Sequence, residues 1–379
     1  MKLASQEACF GCHACEYKCP VNAINFYDTG TGFLYPRIDE NKCIKCRKCE
    51  QICQEVQESS FVKRPIKSYG VKHKNDGIRI KSSSGAAYPA IVEAFAENQE
   101  VSIVGAVFDT EAGMKVRHLD VYEGKLIEAS QKSKYVQSDI SRVYDMIYAR
   151  LSEGKKVLFV GTPCQVAGVK SCFKDCDSLF SVDLICHGVG SPGIWGKYIG
   201  FLEKKYADKI IGYDFRDKDK GWEDYHTKIV FESGREIAEG FEESMYLRLF
   251  NQDMIMRSSC YQCPFSAPER ISDITIGDFW GVEKVRPEFK DSLGVSLVLL
   301  NSDAGIALFE KMKKFLFYFE TCLEDASQHN LKMPTVCPKE TSYFWRDYQI
   351  YGFEKVLKKY AKYNMTGRFR YEIKRMVKR

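Results

Sequence analysis

The sequence predicts a mixed α/β protein with a mainly parallel sheet, preceded by a small amino-terminal α+β domain. Residues 1–60 contain two matching cysteine runs, strands alternate with helices over 86–206, and 210–218 and 225–237 look like antiparallel strands. A chain of 379 residues suits about two domains. The expected parts are a cysteine-rich domain at 1–60, a larger domain at 65–330 and a basic helical tail at 331–379.

The cysteine content and the first residues together indicate a reducing compartment. Sixteen cysteines are many for this length, and the first ten residues lack the apolar core of a secretory signal peptide. The longest apolar runs, such as 295–300, are far shorter than the roughly 20 residues that cross a bilayer. We therefore expect a cytoplasmic protein whose thiols serve metals or chemistry rather than disulfides.

The amino-terminal cysteines form two copies of the spacing C-x2-C-x2-C-x3-C. Pro20 follows the first run, whereas Gln54 follows the second. This spacing is typical of bacterial two-cluster ferredoxins, in which the fourth cysteine of each run ligates the other cluster. The predicted ligand sets are Cys9, Cys12, Cys15 and Cys53 for one [4Fe–4S] cluster and Cys43, Cys46, Cys49 and Cys19 for the other.

Zinc is the alternative occupant of these cysteines. Zinc sites usually have two CxxC pairs on a longer spacer, rather than four cysteines within eleven residues, so the spacing favours clusters. Between the runs, residues 23–39 read as two short strands around a Gly-Thr-Gly turn. We therefore expect a ferredoxin-type domain that carries single electrons at low potential.

The larger domain begins with alternating helices and strands. Apolar residues recur at helical spacing in 86–99, 100–109 reads as a strand, and 138–155 has the pattern of an amphipathic helix. Residues 156–170 and 179–206 each read as a strand, a glycine-containing turn and a helix. Because this alternation requires helical crossovers, it predicts parallel strands.

Several chemically active residues follow predicted strands. Cys164 follows one strand, Cys186 ends the next, and 278–281 end a third. In open α/β sheets ligands bind beyond the carboxyl ends of the strands, so these residues should converge on one crevice. Gly161 and Thr162 would begin the helix that carries Cys164, and a helix amino terminus stabilises a thiolate or a phosphate.

A CxxC motif formed by Cys260 and Cys263 adds two further thiols. Together with Cys164 and Cys186, they are enough for a possible third [4Fe–4S] cluster. The alternative is that Cys164 and Cys186 are small buried apolar residues, as free cysteines often are. The remaining cysteines are expected to be structural or incidental: Cys172, Cys176, Cys322 and Cys337.

Six stretches together resemble a known family. They are SSSGAAYPA, SKYVQSD, GTPCQVAGVK, DLICHGVGSP, FRDKDKGW and CYQCPFSAPERISDITIGDFWG, in that order along the chain. The sequence is similar in these stretches to the beta-subunit family of the coenzyme F420 hydrogenases and dehydrogenases. The 7-hydroxymethyl chlorophyll a reductases look like relatives. The resemblance spans residues 65–300, and a ferredoxin module in front is a common arrangement in the family.

The resemblance implies an FAD site beside iron–sulfur clusters. Hydroxyls and a glycine turn can cradle a pyrophosphate, and Lys134 can place positive charge near the flavin ring or phosphates. Taken alone, SSSG at 82–85 would read as a flexible loop, and KYVQS at 134–138 would read as the start of a solvated helix. The matching positions are Ser83, Ser84, Gly85, Ser133, Lys134, Tyr135, Gln137, Ser138, Gly161 and Thr162.

The resemblance also implies an oxidoreductase. The ferredoxin domain would accept single electrons from ferredoxin or another low-potential protein, and the flavin would collect two and transfer a hydride equivalent. Relatives outside methanogens often lie among genes for surface polysaccharides, which leaves the small-molecule substrate open. One alternative is that the chain belongs to a larger complex that reduces or oxidises F420, and another is an electron-transfer adaptor without a substrate site.

The crevice contains candidates for proton transfer and for substrate binding. His187 can supply a proton near neutral pH, or it can simply be hydrogen-bonded within its glycine-rich turn. Arg216 can hold an anionic substrate by a bidentate contact, or it can form an internal salt bridge with Asp214 or Asp217. The expected catalytic residues are His187, Arg216, Lys134 and Asp278.

Basic charge is concentrated at the carboxyl terminus. Residues 355–379 contain ten Lys or Arg and one acid, Glu372, so they carry +9, and a net charge of +5 leaves −4 for the rest of the chain. A basic amphipathic helix can contact an anionic membrane, each basic residue contributing about 1 kcal/mol, but a solvated helix or a dock for another chain is the preferred alternative. Nucleic-acid binding is not expected, because the charge is confined to one end.

Overall fold

The computed structural model describes residues 3–55, 63–174, 176–240, 243–326 and 328–361. The strands are β1 Ile24–Asp28, β2 Leu34–Ile38, β3 Lys67–His73, β4 Val101–Asp109, β5 Lys115–Asp120, β6 Lys156–Gly161, β7 Leu179–Leu184, β8 Ile210–Asp217, β9 His226–Phe231, β10 Glu236–Gly240, β11 Ile274–Asp278, β12 Ser296–Leu300 and β13 Leu316–Thr321. The helices are α1 Ala14–Tyr17, α2 Lys48–Ile52, α3 Asp76–Ile80, α4 Ala87–Phe95, α5 Ile127–Ser130, α6 Val143–Ser152, α7 Pro163–Cys172, α8 Pro192–Tyr206, α9 Met245–Asn251, α10 Val282–Val285, α11 Asp303–Met312, α12 Thr341–Tyr351 and α13 Phe353–Tyr360.

The amino-terminal module is a hairpin with two cysteine loops. Strands β1 and β2 pair antiparallel, with Ile24 opposite Ile38, as the sequence predicts. The Asp28 carboxylate accepts hydrogen bonds from the amides of Gly30 and Gly32, which closes the turn. Each cysteine loop reaches its helix through a residue in the left-handed region, His13 before α1 and Arg47 before α2. The two loops therefore have the same backbone turn.

The body of the protein is built on a mixed sheet. Within the described ranges its strand order is β13-β3-β12-β11-β7-β6-β4-β5. Strands β4, β6, β7 and β11 are parallel to one another, while the strands at both sides of them pair antiparallel. The predicted mixed α/β class is confirmed, and the parallel pairing forms the centre of the sheet.

Helices cover both faces of this sheet, because successive side chains of a buried strand point to opposite sides. Ile103 and Leu158 lie in the apolar cluster formed with α4 and α11. Val104 and Phe159 lie in the cluster formed with α6 and α7. Strands β4 and β6 therefore bury apolar side chains on both faces of the sheet.

Strands β8, β9 and β10 form a separate antiparallel sheet. The antiparallel pairing of β8 with β9 agrees with the sequence pattern, but these strands do not extend the central sheet. They pack with α8, α9 and the carboxyl-terminal helices around a second apolar core that includes Trp195, Phe215 and Tyr246. This second layer supplies one wall of the cavity described below.

The basic tail lies partly outside the described residues. Helix α13 buries Phe353, Val356 and Leu357 in the second core, so its apolar face is occupied by the body of the protein. Residues 362–379, which contain most of the predicted membrane-binding charge, are not among the described ones. Across the described ranges, every helix is too short or too polar to pass through a bilayer.

Candidate functional site

A cavity of about 420 Å³ opens at the carboxyl ends of β6, β7 and β11. Gly161 ends β6 and Thr162 follows it, Cys186 follows β7, and Asp278 ends β11, and all four residues line this large cavity. Parallel strands place such residues together, because their carboxyl ends lie at the same edge of the sheet. The large cavity is thus the crevice that the strand order predicts, except that Cys164, which was also expected there, does not line it.

Hydroxyl groups form one wall of the large cavity. The Ser133 amide donates a hydrogen bond to the Ser83 hydroxyl oxygen at 2.8 Å, which joins the two serine segments. The Gln165 side chain donates to the Ser138 hydroxyl at 2.9 Å, and its amide oxygen accepts from the Thr162 backbone N–H at 3.0 Å. This network holds the start of α7 against the segment after residue 132.

Two residues implied in flavin binding do not line the large cavity. A Cβ at Gly85 would meet the Val71 carbonyl oxygen at 2.3 Å, so the glycine serves close backbone packing against β3 instead. Gln137 turns toward the amino-terminal module, where its side chain donates to the Phe10 carbonyl and accepts from Arg257. The other implied positions line the large cavity: Ser83, Ser84, Ser133, Lys134, Tyr135, Ser138, Gly161 and Thr162.

Lys134 lines the large cavity, and its ammonium group contacts backbone carbonyls. Its ammonium donates hydrogen bonds to the backbone carbonyls of Ala129 at 2.7 Å and Lys132 at 2.8 Å. Burial lowers the pKa of Lys134 to about 7; the Asp214 carboxylate opposes this shift, and the Lys132 ammonium makes a smaller contribution in the same direction as burial. The Lys134 side chain can therefore gain or lose its charge near neutral pH.

Arg216 is a buried cation that also lines the large cavity. One of its terminal nitrogens is paired with the Asp278 carboxylate, so its ion-pair partner is neither Asp214 nor Asp217. Its guanidinium lies 4.6 Å from the Tyr225 ring centre and 5.7 Å from that of Trp280, and all four of these residues line the large cavity. Within the described chain, its Nε and Nη2 have no hydrogen-bond acceptor.

His187 is held by a carboxylate. Its Nε2 lies 2.7 Å from Asp253 Oδ1, and its backbone carbonyl accepts from the Thr335 hydroxyl. The side chain is 38% exposed and lines the large cavity. The partner of the imidazole is therefore an aspartate from a distant segment, rather than a group of the glycine-rich turn.

His118 also lines the large cavity, although nothing in the sequence marks it. Its Nε2 donates to the Val160 carbonyl at 2.9 Å, and its Nδ1 has no partner among the described residues. Burial lowers the pKa of His118 to about 4, so the ring is neutral at ordinary pH. The His118 Nδ1 atom is thus a hydrogen-bond acceptor beside the large cavity.

A second, smaller space lies next to the large cavity, and four cysteines line it. We call it the cysteine chamber; its thiols belong to Cys164, Cys186, Cys260 and Cys263. Burial, together with the neighbouring thiols, raises the pKa of Cys164 to about 11 and that of Cys260 to about 12. Free thiols in such surroundings would be protonated, whereas a bound metal cluster stabilises the thiolate form.

A third space is lined by Cys9, Cys12, Cys15 and Cys53, which we call the amino-terminal chamber. Burial raises the pKa of Cys15, and the nearby thiols of Cys12, Cys9 and Cys53 raise it further. Cys53 comes from the second cysteine run, so this grouping has the exchanged fourth ligand that the spacing predicts. Of the other set, Cys46 is exposed while Cys49 is buried.

The three spaces form a row. Phe10 lines both the amino-terminal chamber and the cysteine chamber. Thr162, Cys186 and His187 line both the cysteine chamber and the large cavity. The four body cysteines therefore lie between the amino-terminal module and the large cavity.

Arg257 fastens the amino-terminal module to the body at this row. Its side chain is buried, and it donates hydrogen bonds to the carbonyls of Cys9 at 2.6 Å and Leu34 at 2.9 Å. Its guanidinium also lies 4.4 Å from the Tyr35 ring centre and lines the cysteine chamber. A single cation thus contacts both the first cysteine loop and the chamber beside it.

An ion pair in the core positions two of the chamber cysteines. Arg270 contacts Asp183 at 3.0 Å, and both side chains are fully buried. Arg270 also donates hydrogen bonds to the carbonyls of Phe265 at 3.0 Å and Leu184 at 3.1 Å. The loop after Cys263 and the end of β7 before Cys186 are therefore held by one guanidinium.

Two family models match the chain in the regions just described. Residues 154–321 match the family described as the C terminus of the coenzyme F420 hydrogenase/dehydrogenase beta chain. Residues 8–55 match the 4Fe-4S dicluster domain. The chain joins a 4Fe-4S dicluster domain to the C-terminal domain of the F420 hydrogenase/dehydrogenase beta-subunit family. The first match includes all four cysteines of the cysteine chamber, and the second includes all eight amino-terminal cysteines.

Two individual proteins are similar to this chain. One component of the H(2):CoB-CoM heterodisulfide,ferredoxin reductase of Methanothermobacter marburgensis is 31% identical over 66 residues, which cover 14% of this chain and 10% of the relative. The chain therefore spans about a tenth of that protein. A chain of the F420-reducing [NiFe] hydrogenase complex from Methanosarcina barkeri has 15% identity and a TM-score of 0.47, covering 80% of this chain and 94% of that chain.

Proposed function

We propose that this protein is an iron–sulfur flavoprotein oxidoreductase. Its amino-terminal clusters would accept electrons from ferredoxin or a similar low-potential protein, and FAD in the large cavity would exchange them with a small-molecule substrate. The observation that carries this proposal is the row formed by the amino-terminal chamber, the cysteine chamber and the large cavity. The free cysteines favour a reducing compartment such as the cytoplasm.

Three ligand sets would hold the clusters. Each set offers four thiols, as a [4Fe–4S] cluster requires, and such clusters carry single electrons. Phe10 lines both the amino-terminal and the cysteine chamber, and Phe265 lines the cysteine chamber; such apolar walls suit a cofactor that must be shielded from water. The sets are Cys9, Cys12, Cys15 and Cys53; Cys43, Cys46, Cys49 and Cys19; and Cys164, Cys186, Cys260 and Cys263.

The large cavity has the features that a flavin site needs. Its volume lies within the range of small-molecule and cofactor sites, and two residues that line it, Arg216 and His118, have buried polar atoms without a hydrogen-bond partner among the described residues. A bound flavin supplies the exchange between one-electron and two-electron chemistry. Gly161 and Thr162 at the start of α7, together with Ser83 and Ser133, would bind its polar part.

The remaining polar residues have proposed roles toward the ligands. Arg216 would donate its free N–H groups to an anionic or carbonyl oxygen, while Asp278 and the flanking aromatic rings keep the guanidinium in place. His187, oriented by Asp253, would exchange a proton with the substrate. Lys134 would place a positive charge beside the bound anion.

Lys134 should make FAD binding depend on pH. The ammonium is charged below its pKa of about 7 and attracts an anionic ligand, whereas above that pH the amine is neutral. We therefore expect the dissociation constant of FAD from the flavin-free protein to rise above pH 7, by up to about tenfold per pH unit. Fluorescence titration between pH 6 and pH 9 would measure it, with those limits set about one to two units around the pKa.

Lys134→Arg is the matched control, because arginine stays charged throughout this range. Its dissociation constant for FAD should be nearly constant with pH. The same pH dependence in both proteins would exclude Lys134 as its origin.

Coenzyme F420 as the reaction partner is the second candidate, and the match of residues 154–321 to the F420 beta-subunit family favours it. The pure protein should be incubated anaerobically with a reduced viologen dye and F420. Rapid bleaching of F420 absorbance supports this candidate. Reduction of the bound flavin without bleaching supports a different substrate, for which surface-polysaccharide metabolism stays a prediction. If the pure protein contains iron–sulfur clusters but no flavin, the result would instead support an electron-transfer adaptor without a substrate site.

A further inference from the structure

The two cysteine loops have the same spacing but very different surroundings. In the first loop, Phe10 and His13 are each 7% exposed, and Ala14 is 1% exposed. At the matching positions of the second loop, Ile44 is 61% exposed, and Arg47 and Lys48 are also exposed. The repeat therefore shows one loop covered by the body and one loop facing outward. The matched pairs are Ala8 and Lys42, Phe10 and Ile44, Gly11 and Lys45, His13 and Arg47, and Ala14 and Lys48.

Packing against the body explains the composition of the first loop. A Cβ at Gly11 would lie 2.8 Å from Arg257 Nη1, so a lysine at that position would clash with a buried cation. Phe10 packs against Phe265 with ring centres 5.6 Å apart. The body does not cover the second loop, and packing therefore gives no reason for its lysines and arginine.

The second loop has unpaired positive charge around an exposed cysteine. Residues 42–48 contain four basic side chains and no acid. Lys42 and Arg47 are paired with Asp39 and Glu50, at 3.7 Å and 2.7 Å. Lys45 and Lys48 form no ion pair with any described residue, and Cys46 and Ile44 are exposed beside them. This patch contrasts with the net negative charge of −4 outside residues 355–379.

We propose that residues 42–48 are the docking surface for an acidic electron-transfer protein. This inference rests on the proposed function, because it assumes a cluster held by Cys43, Cys46, Cys49 and Cys19. An exposed apolar residue within a basic rim suits a small, transient interface with a negatively charged partner. In the step itself, one electron leaves the reduced centre of the partner and enters that cluster, and no bond forms or breaks.

A lipid surface is the other anionic occupant that such a patch can attract. The position of the charges favours a protein, because they surround the cysteine of a proposed electron carrier, and a lipid headgroup does not exchange electrons. The first loop is covered by the body, whereas the second loop presents Cys46 at the surface.

The test reverses the two unpaired charges. Lys45→Glu together with Lys48→Glu would be compared with Lys125→Glu together with Lys284→Glu, which changes the net charge equally at exposed lysines of the body. Lys125 also shares the left-handed backbone of Lys45, with φ of 54° against 56°. The probe is a reduced, net negative 2[4Fe–4S] ferredoxin, and stopped-flow absorbance follows electron transfer to the protein. Calorimetry with the oxidised probe measures binding separately.

At low ionic strength the Lys45 and Lys48 double variant should react about tenfold or more slowly than wild type, because electrostatic steering is lost. Its binding should weaken by a similar factor, and the difference should shrink at high salt. The Lys125 and Lys284 variant should behave as wild type. Dithionite should reduce all three proteins equally, since a small reductant does not need a docking surface.

Equal reaction rates with ferredoxin for both double variants would overturn the docking surface and leave the proposed function standing. Loss of binding to phosphatidylserine vesicles in the Lys45 and Lys48 variant, with an unchanged ferredoxin rate, would overturn it in favour of a lipid contact. A wild-type protein without iron would instead refute the proposed function, so the two failures are distinguishable.

Discussion

Replacing Cys186 with alanine should stop electrons from passing between the amino-terminal clusters and the flavin. Cys186 lines both the cysteine chamber and the large cavity, so it lies where the two spaces meet. Without this ligand the proposed third cluster should be lost or damaged, and the iron content should fall from about twelve to about eight atoms per chain. Flavin reduction by an external ferredoxin should then slow by orders of magnitude.

Cys172→Ala provides the matched control for Cys186→Ala. Cys172 is a buried cysteine of α7 that packs in an apolar cluster and does not line any of the three spaces. Its replacement should leave iron content and electron transfer unchanged. Anaerobic stopped-flow spectroscopy of flavin bleaching gives the rate for each protein. If Cys186→Ala kept the wild-type rate, the cysteine chamber would not be part of the electron route.

Arg270→Met should destabilise the protein strongly. The substitution leaves the fully buried Asp183 carboxylate without its cation and removes the hydrogen bonds to the carbonyls of Phe265 and Leu184. Breaking a buried ion pair in this way typically costs about 3–5 kcal/mol. Since both anchored segments lead to chamber cysteines, the variant should also lose the third cluster more readily. Anaerobic denaturant titration, followed by tryptophan fluorescence, measures the change.

Two variants separate the buried charge from other effects of Arg270→Met. Combining it with Asp183→Leu removes the uncompensated carboxylate and should restore much of the lost stability, because apolar replacements of buried pairs are often neutral. Arg286→Met, at an exposed arginine paired with Glu288, should change stability by less than about 0.5 kcal/mol. A double variant no more stable than Arg270→Met would place the loss in the carbonyl contacts instead.

The sequence correctly predicted the parts of the fold that depend on residues close together in the chain. The hairpin around Gly30 and Gly32 and the strand–turn–helix unit from β6 to α7 follow from turn residues and apolar runs, and both are present. The separate sheet of β8, β9 and β10 was not predicted. Antiparallel hairpins can be recognised locally, but which sheet they join depends on packing with distant helices such as α8 and α9.

The sequence predicted which backbone segments meet at the site, but it did not predict where every side chain points. Strand ends identified Cys186 and Asp278 correctly as neighbours of one cavity, because parallel topology determines their position. Gln137 was implied to bind flavin, yet its side chain faces Arg257 and the first cysteine loop. Arg257 and His118 carry no local signal, since their importance comes from contacts with residues far away in the chain.

The central proposal is that a single chain holds three clusters and one flavin, and that two of these clusters lie in a row with the flavin. The most direct measurement is the iron, acid-labile sulfide and flavin content of protein purified without oxygen. The account predicts about twelve irons, about twelve sulfides and one FAD per chain. Zinc in place of iron, or a protein without flavin, would contradict it, and about eight irons with flavin present would remove the cysteine chamber from the row.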